Sequence, residues 1–258
     1  MYPYLEIFNK HIPTYGICLL LGIALVFILS MKSANKYNYF YYDLFIFGGF
    51  VLLFALPAGS FLYVIVTYNL KEIIDYIMLG DFSKFAGLVF YGSLIGGICG
   101  AIIGTYVAKL DLLIVEKIII PYIPIGHAIG RIGCLLAGCC YGMEYTGPFA
   151  VYYKNSIAGA QPKIGYFPVQ ILEAIINIGI CLFLIYIQKK VKLKFELLST
   201  YIILYGILRF FIEFLRGDIG RGIYYVLSTS QWISLVMILT GSLYILFAKI
   251  ATKKHEEI

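Results

Sequence analysis

Two short stretches carry side chains that are expensive to bury unless they do chemistry. The first is HAIGRIGCLLAGCCYG, His127–Gly142, where Arg131 stands among glycines and cysteines between strongly apolar segments. An arginine at the edge of hydrocarbon is costly, so its presence argues for an anion to hold. Gly126, Gly130, Gly133, Gly138 and Gly142 surround it. Without side chains they let backbone N–H groups approach a ligand. They also let helices pack closely, which is the simpler account of the same residues. The second stretch is YGILRFFIEFLRGD, Tyr205–Asp218. On a helix Tyr205, Arg209 and Glu213 share one face at four-residue spacing, and Arg216 follows Glu213 by three. Such a polar stripe is expected to face a bundle interior or a wet cavity. A salt bridge that fixes helix packing is the plainer reading. Two intramembrane arginines against one glutamate leave positive charge over, which favours an anionic substrate.

The other reactive side chains carry weaker signals. His127 lies four residues before Arg131 and shares its face if that segment is helical, which makes it a candidate base. A lone histidine near a helix end is more often a structural hydrogen-bonding group, and that reading ranks first. Of the cysteines, Cys18, Cys99 and Cys181 lie inside apolar runs and read as small core residues. Cys134, Cys139 and Cys140 cluster near Arg131, but their spacing matches no standard zinc pattern and His127 is the nearby histidine. Packing is the preferred role for them, and no metal is expected.

These residues must be positioned by membrane helices. Hydrophobic residues make up 61% of the chain and charged residues 13%, far from the composition of soluble domains. Seven apolar stretches, about 13–31, 42–66, 86–108, 112–136, 168–188, 198–216 and 231–249, approach the ~20 residues a bilayer helix needs. The fourth contains Pro121 and Pro124 and is expected to kink or break. Asp111, Glu116 and Lys117 read as a solvated inner loop. The fold class is therefore an all-α integral membrane protein of about seven transmembrane helices, forming one domain over residues 1–258.

Charge sets the expected orientation. With the N-terminus outside, inner loops hold eleven lysines (Lys32, Lys36, Lys109, Lys117, Lys189, Lys190, Lys192, Lys194, Lys249, Lys253 and Lys254). The outer segments then hold seven cations: Lys10, Lys71, Lys84, Lys154, Lys163, Arg216 and Arg221. This bias predicts N-out and C-in. The net charge of +6 needs no nucleic acid, because anionic inner-leaflet lipids attract such loops. No cleavable leader pattern is visible, so the first helix is expected to be retained. Residues 142–167, with Gly147, Pro148, Gly159, Pro162 and Gly165, read as an irregular periplasmic or extracellular cap after the fourth helix. Trp232 reads as an interface anchor.

Taken in order, the motifs resemble the prolipoprotein diacylglyceryl transferase family over nearly the whole chain. The series begins with Tyr15 and Gly16 in PTYGICLLLG and continues with VFYGSLIGG, Val89–Gly97. The glycine-arginine-x-glycine core follows as Gly130, Arg131, Ile132 and Gly133, with a closing Gly142. FPVQILEA places Pro168, Gln170 and Glu173 where the family has a proline, a glutamine and a glutamate. The YGxxRxxxEFxR element is intact as Tyr205, Gly206, Arg209, Glu213, Phe214 and Arg216, and LSTSQWISL supplies Ser228 and Gln231. There are departures. The family's histidine in the VFYGSLIGG element is Tyr91 here, and the two asparagines and the glutamate around the arginine core are Cys134, Ala137 and Cys139.

The resemblance implies a multi-pass protein of the bacterial cell (inner) membrane. It would move diacylglycerol from phosphatidylglycerol, or another anionic phospholipid, to a lipoprotein signal-peptide cysteine, and release glycerol phosphate. No cofactor is implied. Arg131 and Arg209 would hold the phosphate, since guanidinium binds its oxygens two at a time. Glu213 would orient Arg209, Tyr205 would donate to the headgroup, and Tyr91 would hydrogen-bond near the reacting groups. Tyr15, Gly130, Gly133, Gly142, Gln170, Glu173 and Arg216 would line the substrate site. Three readings stay open: this activity, a paralogous transferase with another acceptor or donor headgroup, and a non-catalytic lipid-binding protein on the same scaffold.

Overall fold

The computed structural model describes residues 2–7, 10–37, 39–81, 85, 87–191, 193, 195–217 and 222–256. Its contacts divide the chain into two units, Met1–Ser30 with Glu116–Ile258, and Met31–Val115. Lys84, Lys192, Lys194, Asp218 and Arg221, which entered the charge and motif readings, lie outside the described residues.

In the first unit, an antiparallel hairpin of β1 (Tyr4–Ile7) and β2 (Lys10–Pro13) leads into helix α1 (Thr14–Ala34). The unit resumes in α5 (Leu112–Ile119), which passes through a tight turn at Ile120–Tyr122 into α6 (Ile123–Ala137). Pro121 and Pro124 lie at this join, where a missing N–H is tolerated in the first turn of a new helix, so the expected break is present. Then come β3 (Val151–Tyr152), β4 (Gly165–Tyr166), α7 (Val169–Ile187), α8 (Glu196–Ile212), the hairpin of β5 (Ile223–Tyr224) and β6 (Leu227–Ser228), and α9 (Thr229–Glu256). Val169, Ile180, Leu184, Leu197, Tyr201, Leu208 and Ile212 form its main apolar core between α7 and α8. Ser228 and Gln231, two of the motif residues, cap α9: the Gln231 side chain accepts from Ser228 N at 2.9 Å and the Ser228 hydroxyl accepts from Gln231 N at 3.2 Å.

Glu116 departs from expectation. It is buried at 5% exposure, and its carboxylate accepts from the backbone N–H groups of Phe195 (2.6 Å) and Leu198 (2.9 Å). The first turn of α8 thus has its orphan donors satisfied by a residue from another helix. A solvated loop is the wrong description of Glu116, because a local charge pattern does not reveal a helix terminus brought to it by the fold.

The second unit contains α2 (Tyr41–Thr67), α3 (Leu70–Met78) and α4 (Phe90–Val107). α4 presents Gly92, Gly96, Gly100 and Gly104 at four-residue spacing. A methyl group on Gly92, Gly96 or Gly100 would run into the carbonyl oxygens of Ala58, Phe54 and Phe50 of α2, so absent side chains let the two backbones meet.

Among the described residues six helices are long and apolar enough to cross a bilayer: Thr14–Tyr37, Tyr41–Thr67, Leu112–Ala137, Val169–Ile187, Glu196–Leu215 and Thr229–Ala251. The remaining apolar stretch of the seven forms α4, a shorter helix of 18 residues. At 1.5 Å per residue that is about 27 Å, close to the ~30 Å hydrocarbon thickness. The protein is mostly helical and has the composition of a multi-pass membrane protein.

Candidate active site

α6 carries Arg131 in its second half, and α7 brings Glu173 to it. The Arg131 Nε to Glu173 Oε1 distance is 2.9 Å, with the arginine side chain one-fifth exposed and the glutamate buried. Tyr205 of α8 lies within electrostatic reach of the same guanidinium. Among the described residues Glu173 is the carboxylate paired with Arg131, and it uses Nε, so the Nη edge stays available for an anion. The charge count from sequence needs correction here. Glu173 joins Glu213, so two arginines meet two glutamates; the argument for an anion passes from net charge to unfilled guanidinium edges.

Arg209 shows that edge most clearly. Its Nη2 lies 2.9 Å from Glu213 Oε2 and donates to Ser230 Oγ at 3.1 Å. Its Nη1 is buried and has no hydrogen-bond partner among the described residues. A buried guanidinium nitrogen without an acceptor is costly, and a phosphate oxygen is the acceptor that fits it. The i,i+4 pairing of Arg209 and Glu213 is as the spacing predicts. Arg216 is not part of that helical face. α8 ends at Ile212, a tight turn covers Glu213–Leu215, and Arg216 is extended. There its backbone forms an antiparallel bridge to Gly142.

That bridge ties the loop after α6 to the end of α8. Met143 N donates to Leu215 O at 2.8 Å and Gly217 N to Tyr141 O at 3.1 Å. Gly142 is required by packing, because a methyl group there would overlap the Phe167 carbonyl. Gly133 likewise packs on α1, where an added Cβ would stand 2.8 Å from Cys18 Cβ and 3.3 Å from the Tyr15 ring. Gly126 packs two turns earlier on Val26 of α1. Gly130 lies on this same face between them, yet an added Cβ would meet nothing within 4 Å. The seam of α1 and α6 therefore opens into a recess at Gly130, beside Arg131.

The cap is held over the end of α6 by its own hydrogen bonds. Ser156 Oγ donates to Gly138 O at 2.6 Å, and Ile157 N donates to Ala137 O at 3.2 Å. Tyr141, Tyr153 and Tyr166 form its buried aromatic cluster. Gln170, almost fully buried, donates through Nε2 to Cys139 O and to Tyr153 Oη, both at 2.9 Å. Burial pushes the Tyr153 phenol up to about 12, so it remains protonated.

His127 is engaged. Its Nδ1 shares a 2.7 Å hydrogen bond with Tyr201 Oη, and its ring lies 5.2 Å from that of Tyr205. This matches the structural role ranked first for it. Tyr91 occupies the first turn of α4, half-exposed, in the unit that does not contain the arginines. Ser230, Tyr153 and Tyr201 were not singled out from the sequence; hydroxyls are common, and no local spacing marks these three.

The three clustered cysteines come together more closely than their spacing suggested. Their sulfurs all lie within 4.8 Å of one another. Thiol hydrogens from Cys134 and Cys139, together with Arg216 and Arg131, favour the thiolate at Cys140 and lower its pKa. Cys139 is pushed the other way by the same neighbouring thiols and by burial.

A multi-span membrane protein that shelters two arginine–glutamate pairs, with guanidinium nitrogens left over on both, is, as a class, one equipped to hold an anion. The family profile described as Prolipoprotein diacylglyceryl transferase matches residues 3–247, and the chain belongs to that family. It is 36% identical over 237 residues to the phosphatidylglycerol–prolipoprotein diacylglyceryl transferase of Clostridium tetani, covering 92% of this chain and 93% of the relative. It is 34% identical over 251 residues to phosphatidylglycerol–prolipoprotein diacylglyceryl transferase 2 of Clostridium perfringens, covering 97% and 96%. The corresponding protein of Finegoldia magna is 32% identical over 253 residues, covering 92% and 91%.

Proposed function

We infer that this chain transfers the diacylglyceryl group of phosphatidylglycerol to the cysteine thiol of a lipoprotein precursor. The observation that carries this reading is the buried Arg209 Nη1 without an acceptor, on the arginine-glutamate pair that the family motif contains. In the reaction the acceptor thiolate attacks the glycerol carbon that bears the phosphate ester. A C–S bond forms, the C–O bond breaks, and glycerol phosphate leaves with the electron pair. Charge accumulates on the phosphate as that bond breaks, and preorganised guanidinium groups act there most strongly. Arg131 and Arg209 hold the phosphate, while Glu173 and Glu213 fix their orientation. Tyr205 donates to the headgroup, Tyr15, Gly130 and Arg216 shape the space around it, and Gly133, Gly142 and Gln170 hold the surrounding backbone in place. An apolar groove of about 380 Å³, lined by Leu172, Ile176, Ile207, Phe211 and Leu215 between α7 and α8, supports the reading by offering surface for an acyl chain.

The family profile runs through both units, which supports treating residues 1–258 as one functional domain. The lysine bias supports N-out, C-in insertion, and the bacterial relatives support a place in the bacterial cell membrane. A paralogous specificity is the second reading, favoured by Tyr91, Cys134, Ala137 and Cys139 at family positions that are otherwise polar or histidine. The experiment is transfer in nanodiscs with phosphatidylglycerol and a peptide bearing a lipoprotein signal cysteine, read by mass spectrometry. Thioether product and glycerol phosphate that vanish in Arg131→Ala and Arg209→Ala are expected. Bound phosphatidylglycerol without product would refute this acceptor and favour the second reading.

A further inference from the structure

We propose that Cys134, Cys139 and Cys140 form a three-thiolate site for a thiophilic divalent cation of the Zn²⁺ type, with a fourth position open to a thiol ligand. The second part rests on the transferase reading; the first does not. Sulfurs bound to such a cation at ~2.3 Å in a near-trigonal arrangement stand about 4 Å apart. The three sulfurs here already lie within 4.8 Å of one another, so rotamer adjustments of under an ångström close the site.

The surroundings are those of a built site. Cys134 sits in the last turn of α6, Gly138 turns the chain at φ 71°, and Cys140 follows at φ 54°. This loop is held from several sides: Cys139 N donates to Cys134 O at 3.1 Å, Ser156 to Gly138 O, and Gln170 Nε2 to Cys139 O. Hydrogen bonds that fix ligand-bearing backbone in advance are a regular feature of metal centres. Gln170 Oε1 is buried without a partner among the described residues, an acceptor left over beside the cysteine loop. Binding one divalent cation displaces the remaining thiol protons, and three thiolates around it leave the site with one net negative charge. Arg131 and Arg216, both within electrostatic reach of Cys140, offset that charge. Soft thiolate donors select Zn²⁺-type or heavier thiophilic cations over Mg²⁺ or Ca²⁺.

Three protein ligands leave a tetrahedral cation one open position, the arrangement of catalytic rather than structural zinc sites. A substrate thiol bound there is ionised by the cation, which would supply an acceptor thiolate in a protein whose family histidine is Tyr91.

The test uses the full chain in nanodiscs, reduced, desalted and titrated with Cd²⁺. One Cd²⁺ per chain, with an ultraviolet thiolate-to-cadmium charge-transfer band, is expected. The band should be lost in Cys134→Ser, Cys139→Ser and Cys140→Ser, each with an unchanged melting temperature, and kept in Cys99→Ser. No band in the wild type, or a band that survives all three substitutions, would overturn the site. For the fourth position, a cysteine-bearing signal peptide should intensify the band and its serine analogue should not; equal responses overturn that assignment. Transfer is scored separately. Loss of the band with intact transfer removes the metal site alone, and a persistent band without any diacylglyceryl product removes the transferase reading alone.

Discussion

The recess at Gly130 makes a prediction that separates packing glycines from a ligand-facing one within a single motif. Gly126, Gly130 and Gly133 share a face of α6, but only at Gly130 would an added methyl meet nothing within 4 Å. Ala is better than Gly in a helix interior by about 1 kcal/mol, so Gly130→Ala should raise stability by about that amount. At Gly133 the new Cβ would stand 2.8 Å from Cys18 Cβ, against a comfortable ~3.5–4.0 Å. α1 must then yield by about an ångström, and overpacking of this kind costs about 1–3 kcal/mol. Subtracting the helix gain leaves Gly133→Ala up to about 2 kcal/mol less stable than wild type. At roughly 3 °C per kcal/mol for a chain of this size, the two variants should differ in Tm by several degrees in the same detergent. Activity should rank the other way. If the recess admits the phosphate beside Arg131, Gly130→Ala should slow transfer by about tenfold, equivalent to ~1.4 kcal/mol, in a protein at least as stable as wild type. A Gly130→Ala protein that melts as low as Gly133→Ala would refute the recess. One that melts high and transfers at the wild-type rate would refute its role.

Other outcomes follow from the same geometry. Glu173→Gln breaks the pair with Arg131 and should destabilise the fold by about 3 kcal/mol, the low end for buried pairs because Arg131 keeps some exposure; an unchanged melting temperature would contradict the pairing. Glu116→Ala strips the acceptor from Phe195 N and Leu198 N and should cost about 1–2 kcal/mol, measured by thermal unfolding, with Glu116→Gln recovering part of it. Tyr91→His restores the histidine the family carries at this position and, in protein stripped of divalent cations, should speed transfer at neutral pH; a rate equal to wild type would show that thiol deprotonation does not limit turnover there.

What could be read from the chain, and what could not, divides along the range of the interactions. Membrane class, the break at Pro121 and Pro124, and the Arg209–Glu213 pair were legible because they depend on composition, on a missing N–H, or on two residues one helical turn apart. Arg216 shows where that reading ends: three residues beyond Glu213, it leaves the helix because backbone pairing with Gly142 competes with another turn. Glu173 as the partner of Arg131 and Glu116 as the cap of α8 are contacts between helices distant in sequence. Only packing decides which of several carboxylates reaches a given cation or helix end. Gly126, Gly130 and Gly133 are indistinguishable as letters, and the approach of α1 makes two of them seams and one an opening. The cysteine spacing, which fits no familiar metal pattern, becomes a cluster of sulfurs because Gly138 reverses the chain and Gln170 and Ser156 pin the loop. The sequence by itself determined the kind of protein and the charged groups it must shelter. The tertiary structure decided how those groups are partnered, because burial makes each unpaired edge expensive and only the folded chain brings the partners within reach.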